Sequence, residues 1–288
     1  MKPAERMIEL FEILTKEKFI NVKEAAEKFN VSTMTIRRDL ARLEDQGVVT
    51  TNYGGATFNE GVSTEPSFHI KSGYSKQHKK QIAYEASLLV KDGDSIFIDC
   101  GTTTLELVQF ITNKKITIVT NSWRVIPEIH DFSKVTVILA PGEYDPISQG
   151  AISATTIDFL KDYSIDKAFI STQGVDLEYG VSVPKDTDAK VKQAIMNSAK
   201  YKILLADHTK WGQSFLAKHG RLNDFDTIIT DEDIDKEIYY NVQRNIHNVV
   251  ISKSYKSREK EMWFYIIKQH NTIKNVNFQR LLCVLKRN

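Results

Sequence analysis

Seven short apolar runs recur between residues 95 and 251, and this recurrence constrains the fold more than any other feature of the chain. Helical patterns separate most of the runs, near Thr103–Ile111, Thr156–Lys161, Asp188–Ala199 and Asp233–Asn245. Strands that alternate with helices form a largely parallel sheet covered by helices. We therefore expect an α/β domain with strands at Ser95–Ile98, Ile116–Thr120, Val135–Ala140, Lys167–Ser171, Lys202–Ala206, Thr227–Thr230 and Asn248–Ile251. A helix from about Ser75 to Val90 precedes the first strand.

The first 57 residues follow a different pattern. A helix is predicted near Pro3, and a second, short helix from an Asn21 cap to Phe29. Ser32 is a natural N-cap for a third helix, which ends at Gly47. Residues 48–56 are predicted as a small strand pair around two glycines. Three short helices followed by a β-wing are typical of a winged helix-turn-helix.

Four segments follow from these patterns. They are a winged helix-turn-helix DNA-binding domain at 1–57, a linker at 58–74 with Gly61, Pro66 and Gly73, an α/β domain at 75–252, and a basic tail at 253–288. Lys and Arg balance Asp and Glu in the first segment, and the last 36 residues carry nine basic against two acidic residues. The basic pI therefore belongs to the tail, and the net charge gives no argument for DNA binding by the folded body. The tail matches neither pattern, and we favour an extension without a function.

Composition excludes several classes of protein. No apolar run reaches the ~18 residues that a membrane helix needs. Cys100 and Cys283 are too few and too distant for a disulfide framework, and the seven histidines show no metal-ligand spacing. We expect a soluble cytoplasmic protein without a cofactor, a metal or a membrane partner.

The third helix carries the residues that are expected to contact DNA. Its apolar face is Ile36, Leu40 and Leu43, which turns its polar residues outward. In a helix-turn-helix this helix enters the major groove, where arginine forks match guanine edges and phosphate oxygens. The predicted DNA-binding residues are Ser32, Thr33, Thr35, Arg37, Arg38 and Arg42. On residue types alone, ordinary solvent-exposed charges explain the two adjacent arginines equally well.

A resemblance decides between these alternatives. The run Val31-Ser32-Thr33-Met34-Thr35-Ile36-Arg37-Arg38-Asp39-Leu40, with Gly54-Gly55-Ala56 after it, resembles the signature of DeoR-family transcriptional regulators. The family's first-helix arginine has a counterpart in Arg6. Relatives often place Arg-His before the two glycines, where this chain has Thr51-Asn52-Tyr53. This departure predicts a weaker electrostatic contribution from the wing.

Polar residues at predicted strand ends form the second candidate site. Asp99-Cys100-Gly101-Thr102-Thr103-Thr104 lies where a strand ends and a helix begins, so its amides and hydroxyls can cradle an anion. Ligands of open α/β sheets gather at the carboxyl ends of strands. Each such segment alone is better explained as a turn or a helix cap, and only their recurrence after successive strands favours a phosphate-bearing ligand. The predicted effector-binding residues are Asp99, Gly101, Thr102, Thr103, Thr104, Asn121, Gly142, Gly174, Lys192, Asp207 and Lys210.

The resemblance extends to this segment. The DeoR family couples its DNA-binding domain to a sensor similar in fold to ribose-5-phosphate isomerase, glucosamine-6-phosphate deaminase and CoA transferases. The resemblance implies that the ligand is a phosphorylated sugar or a related metabolite whose phosphate binds at Gly101–Thr104. It also implies that Lys192 supplies a positive charge to this ligand and that Asp99 accepts a hydrogen bond from a sugar hydroxyl. Departures include Asp145 where an arginine is common, Asp188 where a glutamate is usual, and Gln173 where a small residue is usual.

Three functions are weighed on this basis. The leading one is a repressor of carbohydrate-metabolism genes that binds operator DNA as a homodimer or higher homo-oligomer under the control of a phosphorylated sugar. The alternative is a sugar-phosphate isomerase or deaminase, although no general acid and base pair can be assigned and no catalytic residue is predicted. In the third, the sensor binds no ligand and serves only assembly. Cys100 is expected to be a buried filler and not a reactive thiol.

Overall fold

The computed structural model describes residues 1–59, 65–245 and 248–254. The predicted basic tail at 253–288, apart from its first two residues, lies outside the described residues, as does Gly61 of the predicted linker. No helix within the described ranges is both long enough and apolar enough to cross a membrane.

The N-terminal part is a winged helix-turn-helix. Its elements are α1 (Pro3–Glu17), β1 (Phe19–Asn21), α2 (Val22–Phe29), α3 (Thr33–Asp45), β2 (Val49–Thr51) and β3 (Gly55–Phe58). Asn21 caps α2 by accepting from the amides of Lys23 and Glu24, and Ser32 caps α3 by accepting from the amide of Thr35. Both caps are those that the sequence predicts.

One apolar core joins the three helices to the wing. Leu10 and Leu14 of α1 and Ile36 and Leu40 of α3 are fully or almost fully buried in it. The sequence predicts two wing strands, and the structure adds β1 as a third, in the antiparallel order β1-β3-β2. Three residues are too few for a recognisable period, which is why this strand is not predicted.

The segment predicted as a linker contains a helix, α4 (Phe68–Gly73). It packs on α1, and a Cβ atom on Gly73 would lie 2.1 Å from Cδ1 of Ile8, so a larger residue there would force the Ile8 side chain to shift. Tyr74 follows, and its ring packs edge-on against Phe11 with centroids 5.1 Å apart. The end of the segment is therefore part of the DNA-binding domain's core.

The larger part begins with α5 (Lys76–Ser87). Its parallel sheet contains β4 (Ser95–Ile98), β5 (Ile116–Thr120), β6 (Val135–Leu139), β9 (Ile165–Ser171), β12 (Ala199–Leu205), β14 (Thr227–Asp231) and β15 (Val249–Ser252). These are the seven predicted strands, with ends shifted by at most three residues. The predicted α/β fold with a largely parallel sheet is confirmed.

The sheet reverses its direction of growth between β4 and β9. Within the described residues its order is β15-β14-β12-β9-β4-β5-β6, and every neighbouring pair is parallel. The chain therefore moves outward from β4 through β5 to β6, then returns to β9 and moves outward on the other side. Such a switch point opens a crevice at the carboxyl ends of the strands, where ligands of α/β proteins bind.

Helices and smaller strands complete this part. The helices are α6 (Thr102–Leu105), α7 (Val108–Ile111), α8 (Val125–Glu128), α9 (Ala154–Leu160), α10 (Asp186–Ser198) and α11 (Lys236–Asn245). The strands are β7 (Tyr144–Asp145), β8 (Gly150–Ala151), β10 (Gly174–Asp176), β11 (Gly180–Val183) and β13 (Ala217–Gly220). The helix predicted at Thr103–Ile111 is divided into α6 and α7. Apolar clusters lie on both faces of the large sheet, so this domain has its own core.

Candidate functional site

The third helix presents its arginines to solvent. Arg37 and Arg38 are exposed on α3, as are Thr33 and Arg42, while Thr35 is partly exposed. Among the described residues, the ion pairs at this helix join Arg6 and Arg42 to Asp39, and none involves Arg37 or Arg38. An ion pair with a nearby Glu or Asp would make these two arginines ordinary surface charges, and no such pair is formed among the described residues. Ser32 Oγ is 2.9 Å from Thr35 Oγ1 and serves as the helix cap.

A buried ion pair holds α3 against α1. Arg6 Nε donates to Asp39 Oδ2 at 2.6 Å, and both side chains are almost fully buried. Arg42 lies on the rim, with its guanidinium 3.8 Å from the other Asp39 oxygen. This ion pair fixes the orientation of α3 relative to α1.

The wing is fixed to the same helix. The Glu44 carboxylate accepts from the amide of Thr51 at 2.7 Å and from its hydroxyl at 2.6 Å, and these hydrogen bonds lower the pKa of Glu44. A Cβ atom on Gly55 would lie 1.9 Å from the carbonyl oxygen of Ile20, so glycine is required there. Tyr53 stands at the tip with 98% of its surface exposed. The wing therefore offers an aromatic hydroxyl in place of a basic side chain.

Asp99 occupies the switch point of the large sheet. It follows β4, and its Oδ2 accepts from the amide of Ser171 at the end of β9 at 3.0 Å and from the Ser171 hydroxyl at 2.7 Å. Lys192 Nζ of α10 donates to the same oxygen at 2.6 Å. Two neighbouring strands of the sheet, β4 and β9, and the helix α10 therefore meet at one buried carboxylate.

The charges of this cluster compensate one another. Burial alone would raise the pKa of Asp99, but the charge of Lys192 and hydrogen bonds from Lys192 and Ser171 hold it below its usual value. Burial raises the pKa of Asp188 to about 6, against the opposing charge of Lys192 at 3.9 Å. Burial would lower the pKa of Lys192, yet the two aspartates raise it. The positive charge predicted to meet a phosphate is therefore already matched by carboxylates.

The remaining predicted effector residues lie around this point. Thr104 Oγ1 donates to the carbonyls of Asp99 and Gly101, Thr103 is buried, and Gly101 and Thr102 are partly exposed. Asn121, fully buried after β5, donates to the carbonyl of Ala151. Gly142 lies after β6, and Gly174 begins β10. These residues lie at the edge of the sheet where its strands have their carboxyl ends. Their role in binding an effector stays a prediction.

A second polar turn follows β12. Asp207 is fully buried, its Oδ1 accepts from the amide of Thr209 at 3.1 Å, and its Oδ2 has no hydrogen-bond partner among the described residues. Burial alone would raise the pKa of Asp207, but the charges of Lys210 and Lys79 hold it below its usual value. The charges of two lysines therefore compensate this buried carboxylate.

A cavity of about 340 Å³ lies between the DNA-binding domain and the sensor. Phe11, Thr15, Lys18, Val48, Phe58 and Asn59 line it from the first domain. Lys79, Gln173, Thr209, Lys210, Gln213 and Phe215 line it from the sensor, together with Lys71 and Tyr74 of the connecting segment. Of the predicted effector residues, only Lys210 lines this cavity. The described residues in its walls include several ammonium groups and no carboxylate, so it suits an anion.

Lys79 links this cavity to the connecting helix. Although it lies in the basic first turns of α5, Lys79 is 1% exposed. Its Nζ donates to the carbonyls of Lys71 and, at 2.8 Å, Tyr74. Burial lowers the pKa of Lys79 to about 7. A sensor lysine therefore caps the carboxyl end of α4, which packs on the DNA-binding domain.

A carboxylate ties the connecting segment to the end of β9. Glu65 Oε1 accepts from Nε2 of Gln173 at 2.8 Å and forms an ion pair with Lys71. Sequence patterns give no signal for the contact because 108 residues separate its partners.

Family models match both parts of the chain. Residues 6–62 match the model for a DeoR-like helix-turn-helix domain, and residues 75–232 match that for the DeoR C-terminal sensor domain. The two matches leave residues 1–5, 63–74 and 233–288 uncovered.

Curated relatives match across both domains. YgbI of Escherichia coli, named as an uncharacterized HTH-type transcriptional regulator, is 34% identical over 81% of this chain and 91% of its own length. The HTH-type transcriptional regulator IolR of Bacillus subtilis is 30% identical over 85% of this chain and 97% of its own. The glycerol-3-phosphate regulon repressor of Escherichia coli is 27% identical over 80% and 92%.

A more distant likeness appears among solved structures. Ribose 5-phosphate isomerase A of Methanocaldococcus jannaschii is 17% identical, with a TM-score of 0.35 over 47% of this chain and 54% of its own. A likeness of that size says nothing about activity.

Proposed function

This chain belongs to the DeoR family of helix-turn-helix transcriptional regulators, and on that premise we propose that it is a repressor of carbohydrate-metabolism genes whose effector is a phosphorylated metabolite bound between its two domains. It is a DNA-binding regulator and not an enzyme, as its relatives' names also indicate. The predicted function class is thereby confirmed, and the isomerase alternative has no support.

The observation that carries the effector proposal is the cavity shared by both domains. A ligand there touches the DNA-binding domain directly, so its free energy of binding depends on how the two domains are arranged. An effector shifts a conformational equilibrium only through such a difference in affinity. A crevice confined to the sensor would need a longer chain of contacts to act on DNA binding.

Lys79 and Lys210 are our assignment for the phosphate of this effector. The charges of both ammonium groups lower the pKa of the buried Asp207, whose single negative charge does not neutralise two positive charges. A phosphate in the cavity gives Lys79 a stronger, charge-assisted acceptor than the two neutral carbonyls that it now contacts. Drawing its ammonium away removes the cap from α4 and loosens the segment that holds the DNA-binding domain.

Operator recognition is assigned to α3, with Arg37 and Arg38 at base edges and Thr33, Thr35 and Arg42 near phosphates. Both arginines are exposed and form no ion pair within the described residues, which supports this assignment. Operators of this class are read by dimeric units with half-sites about 10 base pairs apart, or a multiple of that spacing. We therefore propose a homodimer or a higher homo-oligomer as the DNA-binding species.

A gel shift on DNA that flanks the protein's own gene tests this proposal. The protein is titrated against this DNA and against a scrambled duplex, and the specific complex is then challenged with sugar phosphates, glycerol 3-phosphate and inorganic phosphate. We expect a specific complex that one phosphorylated metabolite weakens. A specific complex that no member of the panel changes would support a sensor that serves only assembly.

The predicted Gly101–Thr104 site is tested by the same titration. Thr103→Asp places a carboxylate in the loop, whereas Lys79→Met removes the cavity's buried charge. If the phosphate binds at the loop, Thr103→Asp abolishes the response; if it binds in the cavity, Lys79→Met does. Melting curves of each variant without ligand establish that it is folded.

A further inference from the structure

Two histidines and two aspartates converge at the sensor surface beside the Asp207 turn. They are His78, His208, Asp231 and Asp233, and each offers one nitrogen or oxygen atom within 4.8 Å of those of the others. His78 Nε2 lies 2.9 Å from Asp233 Oδ2, and His208 Nδ1 lies 2.9 Å from Asp231 Oδ1. The two imidazole rings meet edge to face, with centroids 4.7 Å apart. No local spacing in the sequence brings these residues together.

The fold explains why they meet. His208 follows β12, and Asp231 ends β14, the parallel neighbour of β12, so the two strands deliver them to the same edge. His78 lies in the first turn of α5, which packs on β14. Three separate segments of the sensor therefore supply the cluster.

We propose that these four residues bind a divalent transition-metal ion of the zinc class. Imidazole nitrogen and carboxylate oxygen are ligands that Zn²⁺ takes in tetrahedral sites. With neutral rings the cluster carries two negative charges, which a divalent cation neutralises. Metal–ligand bonds of about 2.0–2.2 Å separate tetrahedral ligand atoms by roughly 3.3 Å, so side-chain shifts of about 1 Å close the site.

Burial and hydrogen bonds prepare the site for a metal. Asp231 is fully buried and already oriented, because Oδ2 accepts from the amide of His208 at 2.7 Å and Oδ1 from that of Asp233 at 3.1 Å. Such outer contacts typically hold a metal-binding carboxylate in place. His78 and His208 are about a quarter exposed and Asp233 is 59% exposed, so an ion can enter from solvent.

The alternative is a pair of histidine–aspartate ion pairs that happen to be neighbours. That arrangement leaves Nδ1 of His78 buried without a hydrogen-bond partner among the described residues. It also gives no reason for the two rings and two carboxylates to face a common point. The metal proposal accounts for the convergence and is independent of the effector proposal.

The test uses the full-length protein after treatment with a chelator. Zn²⁺ is titrated by calorimetry and Co²⁺ by its visible d–d absorption, which reports tetrahedral coordination. We expect one tight equivalent and a rise in melting temperature with Zn²⁺. Asp233→Asn and His78→Gln should each weaken binding by more than ~10-fold, since removing even an outer partner of a metal ligand costs about 10–100-fold. His130→Gln, at an exposed histidine outside the cluster, should bind like the unmodified protein.

Two results would overturn the proposal. One is the absence of a tight equivalent and of the Co²⁺ bands. The other is binding by Asp233→Asn and His78→Gln as tight as by His130→Gln, which would place the metal elsewhere in the chain. Because Asp233 is largely exposed, Asp233→Asn is expected to melt like the unmodified protein without metal, which separates weaker binding from impaired folding.

Discussion

Nε of Arg6 on α1 lies 2.6 Å from Oδ2 of Asp39 on α3, and the two side chains are 7% and 2% exposed. Their separation by 33 residues in sequence makes this pair a tertiary link and not a feature of one helix. The orientation of α3 relative to α1 therefore depends on a charge in α1 that itself does not face solvent.

Replacing Arg6 by Met should destabilise the DNA-binding domain by ~3–5 kcal/mol, because it leaves the Asp39 carboxylate buried without its partner. Urea denaturation measures this destabilisation. The double variant Arg6→Met/Asp39→Leu should recover most of the stability, since two apolar side chains replace the pair. Equal stability of the single and double variants would contradict this account.

Replacing Arg37 and Arg38 together by Ala should abolish specific operator binding without lowering the melting temperature. Both side chains are exposed, so the fold does not depend on them. If either arginine binds a phosphate, the slope of log affinity against log salt should also become shallower, by about one unit for each such arginine. The charge-matched control, Lys115→Ala/Lys134→Ala on the sensor, should footprint normally.

Tyr53→Ala at the tip of the wing should weaken operator binding by roughly 5-fold, the value of one hydrogen bond of ~1 kcal/mol to a phosphate. Tyr53→Phe separates the hydroxyl from the ring. Tyr240→Ala, at another exposed tyrosine, is the control. A wing that makes no DNA contact would give unchanged affinity in all three proteins by fluorescence anisotropy.

Lys79→Met lacks the cap on α4 and should therefore weaken operator binding even without effector. It should also reduce the effector's influence on operator binding by at least ~10-fold, because the variant cannot form the charge-assisted hydrogen bond to phosphate. Lys76→Met, at an exposed lysine of the same helix, should respond like the unmodified protein. The measurement is the operator gel shift across an effector titration. A full response in Lys79→Met would remove the cavity assignment.

Asp188→Asn should stabilise the sensor by about 1–3 kcal/mol at pH 8 and leave it unchanged near pH 4. The folded-state pKa of Asp188, about 6, lies above the ordinary 3.8, so the folded state of the unmodified protein binds more protons between those values. Its free energy of unfolding therefore falls as pH rises through that window, and the amide variant does not show this fall. Denaturation at a series of pH values tests it, and a pH-independent difference would contradict it.

The sequence is informative where each element carries its own pattern. The seven strands of the large sheet are continuous apolar runs, so their positions follow from local composition, and the caps at Asn21 and Ser32 follow from side-chain chemistry. The short strands β7, β8, β10, β11 and β13 carry too few residues for a period. Helix α4 is not predicted, because it lies in a segment whose glycine and proline residues are typical of a linker.

The candidate site is harder to predict because its chemistry is set by tertiary contacts. Lys192 is predicted to supply a positive charge to the effector, and only the fold shows that Asp99 neutralises it. Lys79 lies on a basic turn of α5, and nothing in its local sequence indicates that the fold buries it. His78 and His208 are 130 positions apart in the chain, and no spacing rule connects them.

The position of α4 has a consequence for protein engineering. Gly73 fits against Ile8, Tyr74 packs on Phe11, and the carbonyls of the same segment receive Lys79 from the sensor. The DNA-binding domain therefore does not end at the wing, because the segment through Tyr74 is part of its packing. A chimera that exchanges operator specificity should take the whole segment through Tyr74 from one parent, because a junction at residue 58 would separate interlocking surfaces that were matched within a single chain.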